Sequence, residues 1–270
     1  MTHPLFDLSG RVALVSGAAS GLGRAMAIGF AEVGADLMLA DINAAGMKNT
    51  VVQIEALGRR AVSVQCDVSE PDQIRSMFAE LDRVYGRIDV LGNVAGEGFL
   101  GRPEEITLEQ LERVIRNLVI GRFCCCQEGG KRMLAAGKGS IINIGSLASI
   151  TALGRGHVVY SMAMGAVVQM TRELSTEWSG RGVRVNAILP AQVMNQGLEQ
   201  RIQADPNLLA TFLRGIPTGR MGRPEDIKGV AIFLAADASA WVTGALVPMD
   251  GGNLAMNAGG SYPGGPSVTF

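Results

Sequence analysis

The stretch Ser16-Gly17-Ala18-Ala19-Ser20-Gly21-Leu22-Gly23 decides the fold of this chain. It follows an apolar, β-rich run at 12–16 and opens a helical pattern at 22–33. Its glycines permit a tight turn and let a phosphate approach the backbone. The start of the helix then offers N–H donors and a partial positive charge to a pyrophosphate. We therefore predict a dinucleotide-binding strand–turn–helix, the alternative being a glycine turn without a ligand.

An acidic residue at the end of the second predicted strand, Asp41, indicates which dinucleotide is bound. A carboxylate there can accept hydrogen bonds from both hydroxyls of the adenosine ribose, and it repels a 2′-phosphate. No Arg or Lys occurs at 16–23 or directly after Asp41 to offset this repulsion. The position favours NAD over NADP, with Ile42 beside the adenosine. The alternative is that Asp41 only caps the following helix.

Short β-rich runs alternate with longer amphipathic stretches along the rest of the chain. This alternation predicts a Rossmann-type, doubly wound α/β fold, in which helices cover both faces of a seven-stranded parallel sheet. The predicted strands are 12–16, 36–40, 61–65, 88–93, 140–144, 183–189 and 245–247. The predicted helices are near 22–33, 44–57, 71–84, 107–136, 157–179 and 225–236.

The absence of a linker or an internal repeat predicts one domain over residues 1–256. Residues 191–222 are too long for a plain connection between a strand and a helix, which favours a substrate lid. Residues 257–270 form a Gly- and Pro-rich tail without periodicity. This tail is expected either to be disordered or to order only against a neighbouring subunit.

Composition excludes several classes of function. The 270 residues carry a formal net charge of −1, so no electrostatic case exists for nucleic acid or an anionic membrane. No apolar run reaches the ~18 residues of a spanning helix, and the N-terminus does not resemble a secretory signal. Cys66 and the run 124–126 lack the spacing of metal ligands, so we expect no metal. These cysteines are interpreted as small buried thiols in a reducing cytoplasm.

Motifs along nearly the whole chain resemble those of the short-chain dehydrogenase/reductase family. The resemblance begins with the Gly-x-x-x-Gly-x-Gly pattern at 17–23 and continues in the same order as in the family. The further matching segments are Cys66-Asp67-Val68, Asn93-Val94-Ala95-Gly96, Asn117-Leu118, Asn143-Ile144-Gly145-Ser146, Tyr160, Arg184-Val185-Asn186-Ala187-Ile188-Leu189-Pro190, Gly222-Arg223-Pro224-Glu225-Asp226, Val242-Thr243-Gly244 and Asp250-Gly251-Gly252.

The resemblance implies a reversible hydride transfer between a secondary alcohol or ketone and the nicotinamide. It places Asn117, Ser146 and Tyr160 at the family's catalytic positions, with Ser146 holding the substrate oxygen and Tyr160 exchanging its proton. The cofactor positions that it implies are Asp67 and Val68 near the adenine, Asn93, Ala95 and Gly96 after the fourth strand, and Tyr160, Pro190, Val193 and Asn195 near the nicotinamide. His157 and Gln192 are the further candidates for contact with substrate, although His157 also suits an ordinary helix start.

One departure from the family pattern bears on the chemistry, because Met164 stands where Tyr-x-x-x-Lys has its lysine. A free tyrosine is a poor base near neutrality. A lysine at i+4 lies on the same helical face, where its ammonium favours the phenolate and binds the nicotinamide ribose. A tenfold change in the proton equilibrium of the tyrosine is worth about 1.36 kcal/mol. A lysine that favours the phenolate by roughly two to three such factors therefore contributes roughly 3–4 kcal/mol. Met164 supplies neither charge nor donor, so we predict severely reduced turnover.

Two explanations for Met164 are open, namely an engineered replacement of lysine and a natively divergent protein. The retained glycine loop, Asp41 and Tyr160 favour the first. Arg155 and His157 are weaker candidates to replace the missing charge. Ala191 and Asn195, where the family has Gly and Thr, are milder departures.

We therefore expect an NAD-dependent oxidoreductase, impaired in this chain, that acts on a small hydroxy compound, a polyol or a sugar derivative. The polar residues of the lid, Gln192, Asn195, Gln196 and Arg201, favour this substrate class, and apolar substrates stay open. The alternatives are an inert NAD-binding sensor or scaffold and, less favoured by the intact glycine loop, a lyase or dehalogenase. The family resemblance also implies a homotetramer built on the helices near 107–136 and 157–179 and on the C-terminal segment.

Overall fold

The computed structural model describes residues 3–256, so the tail predicted at 257–270 lies outside the described residues. Seven parallel strands form one sheet in the order β3-β2-β1-β4-β5-β6-β7. The strand order reverses direction beside β1, which confirms the doubly wound prediction and opens a crevice between β1 and β4. The strands are β1 (Val12–Ser16), β2 (Asp36–Asp41), β3 (Ala61–Gln65), β4 (Val90–Asn93), β5 (Gly139–Ile144), β6 (Val183–Pro190) and β7 (Leu246–Met249).

Helices cover both faces of the sheet, and the strand residues alternate between two apolar cores. Ala13 and Val15 of β1 face one core, whereas Val12 and Leu14 face the other. The first core is closed by α1 (Gly21–Glu32), α2 (Ala44–Ala56) and α9 (Ile227–Ala235). The second is closed by α3 (Pro71–Tyr85), α5 (Arg122–Ala136) and the C-terminal half of α6 (Val158–Trp178). Burial of every residue of β1 explains its continuous apolar sequence.

The helix predicted at 107–136 is interrupted in the structure. A capping box starts α4 (Leu108–Ile115), in which the Gln110 N–H donates to Thr107 Oγ1 at 3.3 Å and the Thr107 N–H donates to Gln110 Oε1 at 3.0 Å. A π-helical turn over Arg116–Gly121 then joins α4 to α5. Such turns are rare within helices and often mark functional sites, and this one carries Asn117.

The segment at 191–222 contains two helices that the sequence pattern did not predict, α7 (Gln196–Ala204) and α8 (Pro206–Leu213). They enclose a small apolar cluster around Phe212, Ile216 and Met221, separate from the two main cores. A parallel bridge between Val193 and Gly222 closes the base of the segment. The segment thus has its own packing and is fastened at both ends.

All four cysteines are buried free thiols, as the sequence predicts. Burial raises the pKa of Cys66 to about 11 and that of Cys126 to about 12, so these thiols are unreactive near neutrality. Within residues 3–256, no helix combines the length and apolarity needed to cross a membrane. The same residues contain no cluster of three potential metal ligands.

Candidate active site

The glycine stretch forms a cradle between the end of β1 and the start of α1. Ser20 is the N-cap of α1 and has extended backbone geometry, while Gly17 has a left-handed φ of 72°. A Cβ at Gly23 would lie 2.1 Å from the Gly17 carbonyl oxygen, so no side chain fits there. No neighbouring heavy atom lies within 4 Å of the place a Cβ would take at Gly21. The helix start is therefore open to a phosphate, and the loop fits the pyrophosphate of a dinucleotide.

Asp41 lies at the edge of this cradle and is held by two backbone bonds. The Ala19 N–H donates to Asp41 Oδ2 at 3.0 Å, and the Asn43 N–H donates to Oδ1 at 2.8 Å. Asn43, rather than Asp41, caps α2 through its side chain. Each carboxylate oxygen of Asp41 keeps lone pairs for a ribose hydroxyl. Arg24, just beyond the loop, donates to the Ala19 carbonyl and to Thr50 and does not line the cleft.

The cradle continues into a cleft of about 450 Å³ along the carboxyl ends of β1, β4, β5 and β6. Ligands of open α/β sheets bind at this edge. Most of the sequence-predicted site residues meet here, together with the chain segment after β6. The predicted residues that line the cleft are Gly17, Ser20, Gly21, Leu22, Gly23, Asp41, Ala95, Gly96, Ser146, Tyr160, Pro190, Val193 and Asn195.

Four predicted cofactor residues, Ile42, Asp67, Val68 and Asn93, do not line this cleft. Asn93 is buried beneath it and donates through Nδ2 to the Arg122 carbonyl and to Asn143 Oδ1. Asp67 Oδ1 accepts from the backbone and hydroxyl of Ser69. Val68 is buried, whereas Ile42 is 65% exposed. In the structure, Asn93 thus links the ends of β4 and β5, and Asp67 stabilises the turn before α3. Ile42 is the one of the four with an exposed apolar side chain.

Ser146 and Tyr160 each line the cleft and a second cavity of about 460 Å³. Ser146 follows β5, and its Oγ accepts the Ala148 N–H at 3.2 Å. The hydroxyl proton of Ser146 therefore stays free to bond a substrate oxygen. Tyr160 lies in the first turn of α6, where its ring packs against the backbone at Gly98. The two side chains stand at the junction of a cofactor space and a substrate space.

Asn117 does not line the cleft and instead fastens the segment that follows β4. Its Nδ2 donates to the Glu97 carbonyl at 3.0 Å, and its Oδ1 accepts the Glu97 N–H at 3.3 Å. The neighbouring Leu118 is the cleft-lining residue of the π-helical turn. The side chain of Asn117 is thus occupied by the backbone groups of Glu97.

Met164 is 1% exposed and does not reach the cleft. It packs in an apolar cluster with Leu118, Ala163 and Val167, and this cluster also contacts Tyr160. The position that bears an ammonium in the family motif is therefore filled by hydrocarbon and sulfur. Nothing in this cluster can donate a hydrogen bond to a ribose.

A buried cation at the base of the cleft, Arg122, was missed by sequence reasoning. It is 3% exposed, yet its guanidinium contributes to the cleft wall. It donates to the carbonyls of Ile144, Ala95 and Val94, which joins the ends of β5 and β4. Burial lowers the pKa of Arg122 to about 10, so it remains charged at neutral pH. An arginine two residues before the run of three cysteines at 124–126 was the available signal.

The second cavity contains both predicted substrate residues, His157 and Gln192. His157 Nδ1 donates to the Gly154 carbonyl at 2.6 Å, which leaves Nε2 as the acceptor of the neutral ring. Burial, together with the charges of Arg155 and Arg201, lowers the pKa of His157. Its ring lies edge-on to that of Tyr160, with 6.2 Å between centroids. His157 is also the N-cap residue of α6, as expected of a residue at a helix start, and its contact with substrate stays a prediction.

Asn195, at the family's threonine position, lines both spaces and also caps α7. Its Oδ1 accepts the Leu198 N–H at 2.9 Å, and its Nδ2 donates to the Val193 carbonyl at 3.4 Å. The side chain therefore couples the lid to the cleft wall. A nicotinamide carboxamide that hydrogen-bonds to the Asn195 side chain would do so beside these two backbone partners.

A nucleotide cradle, a serine and tyrosine at the adjoining cavity, and the doubly wound sheet are typical of a dinucleotide-binding oxidoreductase. A family model described as enoyl-(acyl carrier protein) reductase matches residues 17–253. The chain belongs to the short-chain dehydrogenase/reductase family.

Several relatives that are similar over most of the chain are named as dehydrogenases of hydroxylated compounds. D-threitol dehydrogenase of Mycolicibacterium smegmatis is 39% identical over 92% of this chain and 94% of its own. NAD-dependent glycerol dehydrogenase of Listeria innocua is 36% identical over 92% and 95%. The crystal structure of a gluconate 5-dehydrogenase from Burkholderia cenocepacia in complex with NADP and tartrate has a TM-score of 0.88. It is 30% identical and covers 93% of this chain and 98% of its own.

Proposed function

We propose that this protein interconverts a secondary alcohol and its ketone with NAD, and that the substrate is a small polyol or sugar derivative. The observation that carries the proposal is the position of Ser146 and Tyr160, which line both the cofactor cleft and the second cavity. A carbinol held between them would face both spaces. Relatives that act on threitol and glycerol support the substrate class.

The residues divide the reaction between them. A bound nicotinamide dinucleotide supplies the acceptor for the hydride that leaves the carbinol carbon. The Ser146 hydroxyl donates a hydrogen bond to the substrate oxygen, and the Tyr160 oxygen takes the proton of the carbinol. Asn117 keeps Gly96 and Glu97 in place at the rim of the cleft. Arg122 holds the ends of β4 and β5 at the spacing that the cleft requires.

Met164 makes this chain a poor catalyst in our proposal. The buried apolar side chain cannot favour a phenolate or bind a ribose hydroxyl. Losing roughly 3–4 kcal/mol of transition-state stabilisation raises the barrier by that amount, which lowers the rate by about two to three orders of magnitude. This impairment follows from the chemistry of the position, however the methionine came to stand there.

The preference for NAD rests on Asp41, because three structural relatives have NADP bound while one relative is named as NAD-dependent. A 2′-phosphate next to the carboxylate would be repelled. We expect NADH to bind at least roughly tenfold more tightly than NADPH, which is about 1.4 kcal/mol. Fluorescence titration of both cofactors measures this ratio, and Asp41→Asn should reduce it. Equal affinities for the unaltered protein would refute the role of Asp41.

A second candidate function, an inert NAD-binding sensor or scaffold, is favoured by the complete burial of Met164 among apolar residues. It predicts NADH binding without turnover, even after a lysine is introduced at 164. The two functions are separated by incubating the protein and Met164→Lys with NAD and a panel of polyols, sugar acids and other secondary alcohols. NADH formation by Met164→Lys supports the dehydrogenase, and bound but unreacted NAD across the panel supports the sensor.

We also propose a homotetramer in the cytoplasm, with the described range 191–222 acting as a substrate lid. Exposed apolar side chains on the two long helices, Phe123 and Met162, support association through these helices. Four free thiols support a reducing compartment. Lid motion predicts that amide exchange at 191–222 slows when cofactor and substrate bind together, and unchanged exchange would exclude a lid.

A further inference from the structure

The second cavity has a charge pattern that bears on which hydroxylated compound it takes. Arg155, from the loop before α6, and Arg201, from α7, both line it. Arg155 comes from the loop that precedes Tyr160, and Arg201 comes from the lid. Glu97 is the acidic side chain among the described lining residues, and it is exposed at the rim. The cavity next to the reacting groups is therefore positively charged.

Neither arginine takes part in an ion pair with any residue in the range 3–256. This is notable beside Arg59, Arg132 and Arg220, each of which has a carboxylate within 3.0 Å. Burial, and then the charge of Arg201, lower the pKa of Arg155. Arg155 is half-buried and Arg201 is exposed, so the two like charges line one cavity without an acidic partner, and an anion bound between them would be favoured.

Arg155 is held in position at a conformational cost. Its φ of 56° is the left-handed value that residues with a side chain avoid, at roughly 1–3 kcal/mol. Its guanidinium carbon lies 5.2 Å from the centre of the Phe212 ring of α8. Strain of this kind persists where the surrounding structure fixes a residue for function.

Two buried polar atoms in the cavity wall also lack a hydrogen-bond partner among the described residues, Arg155 Nε and Gln192 Oε1. One is a donor and the other an acceptor. Unpaired buried groups of this kind are rare in folded proteins, since each costs about 1–3 kcal/mol. A ligand that offers both a negatively charged acceptor and a hydroxyl donor would satisfy both atoms.

We propose that Arg155 and Arg201 bind a carboxylate of the substrate, and hence that the protein acts on a hydroxy acid of the sugar-acid class and its oxo acid. The inference rests on the proposed function and narrows its substrate. Guanidinium groups pair with carboxylates through parallel, charge-assisted bonds. Gln192 Oε1 accepts from a hydroxyl of the same molecule.

The chemistry at the carboxylate end is binding only. In oxidation, the carbinol C–H bond breaks and its electron pair leaves as hydride to the nicotinamide, while the O–H proton passes to the phenolate oxygen of Tyr160. The carbon–oxygen bond becomes a carbonyl, and the carboxylate is unchanged. The distance between the arginine end of the cavity and Ser146 selects which carbon of the acid reacts.

The test is binding calorimetry of matched pairs, D-gluconate with D-glucitol and D-threonate with D-threitol, on the protein alone and saturated with NADH. We expect each acid to bind at least roughly tenfold more tightly than its alditol, and this advantage to shrink with added salt. Arg155→Met and Arg201→Met should each remove most of it, and Arg155→Lys should retain part. Arg214→Met, an exposed arginine of the same lid that does not line the cavity, is the matched control.

The outcomes separate this inference from the proposed function. Arginine-dependent binding of the acid, without turnover by Met164→Lys, would support the carboxylate site and contradict the dehydrogenase. Turnover of neutral polyols that is insensitive to Arg155→Met and Arg201→Met would support the dehydrogenase and overturn the carboxylate site. Equal binding of acid and alditol would also overturn it. Circular dichroism of each variant shows that the fold is retained.

Discussion

We predict that replacing Met164 with lysine supplies the charge that the proposed reaction lacks. In the structure this position lies one helical turn from Tyr160, on the same face of α6, next to Leu118. A lysine stem can follow the path of the methionine through the apolar cluster and extend its ammonium to the cleft. We therefore expect Met164→Lys to raise kcat/KM, because the ammonium stabilises the phenolate that forms when Tyr160 loses its proton.

Met164→Lys should change two quantities, the kcat/KM of the reaction and the free energy of unfolding. An ammonium next to the phenolate is worth roughly 3–4 kcal/mol, which is about a 100- to 1,000-fold increase in kcat/KM. Loss of methionine packing in a site that is 1% exposed should lower the free energy of unfolding by about 1–2 kcal/mol. An ammonium trapped within the cluster would instead destabilise the protein by several kcal/mol.

Steady-state rates with NAD and sugar acids, together with urea unfolding, measure both quantities on one preparation. Met164→Gln is the matched control, since it has similar length and polarity without charge. The reasoning is refuted if Met164→Lys folds and binds NADH but gains no more activity than Met164→Gln. A large loss of stability in Met164→Lys alone would show that the ammonium does not reach the cleft.

Three further predictions concern other parts of the molecule. Arg122→Met leaves three strand-end carbonyls without a donor, so urea unfolding should show a free energy of unfolding that is lower by about 3 kcal/mol. Arg122→Lys should recover part of this loss, and unchanged stability in Arg122→Met would show that Arg122 is dispensable. Burial lowers the pKa of His157 in the folded chain. Below the pKa of about 6.5 that this histidine has in the unfolded chain, the unfolded chain therefore binds a proton that the folded chain does not. Stability should fall as pH drops through this range, and His157→Asn should remove that part of the pH dependence of Tm; an unchanged profile would contradict it. Phe123 and Met162 are 45% and 54% exposed, and Phe123→Glu with Met162→Glu should reduce the mass seen by light scattering from a tetramer to a smaller species. A wild-type monomer would contradict this arrangement.

The sheet could be predicted from sequence because its determinants are local. Burial on both faces makes the central strand β1 an almost continuous apolar run, whereas the edge strand β3 is only partly buried; both begin and end where the pattern indicates. The cradle was equally accessible, since Gly17 and Gly23 are required by backbone geometry that no other residue meets. Asp41 follows from its place at the end of β2.

The parts that were missed depend on packing between distant segments. The π-helical turn at Arg116–Gly121 lies within a helical sequence pattern, and the orientation of Asn117 toward Glu97 is set by the loop after β4. In the sequence, Arg122 cannot be distinguished from an exposed helical residue, because its carbonyl partners at the ends of β4 and β5 are distant along the chain. The helices α7 and α8 are short, and their apolar faces pair with each other rather than with the main cores.

The central claim is that hydride passes from a carbinol held by Ser146 and Tyr160 to a bound nicotinamide. It is tested most directly by deuterium transfer, in which Met164→Lys is incubated with NAD and a hydroxy acid deuterated at its carbinol carbon. Mass spectrometry of the released cofactor reports the label, and the same experiment with Tyr160→Phe introduced beside Met164→Lys is the control. The account predicts deuterated NADH that disappears in the control. Unlabelled NAD, recovered intact from a protein that binds it, would contradict the dehydrogenase and leave the NAD-binding sensor as the better description.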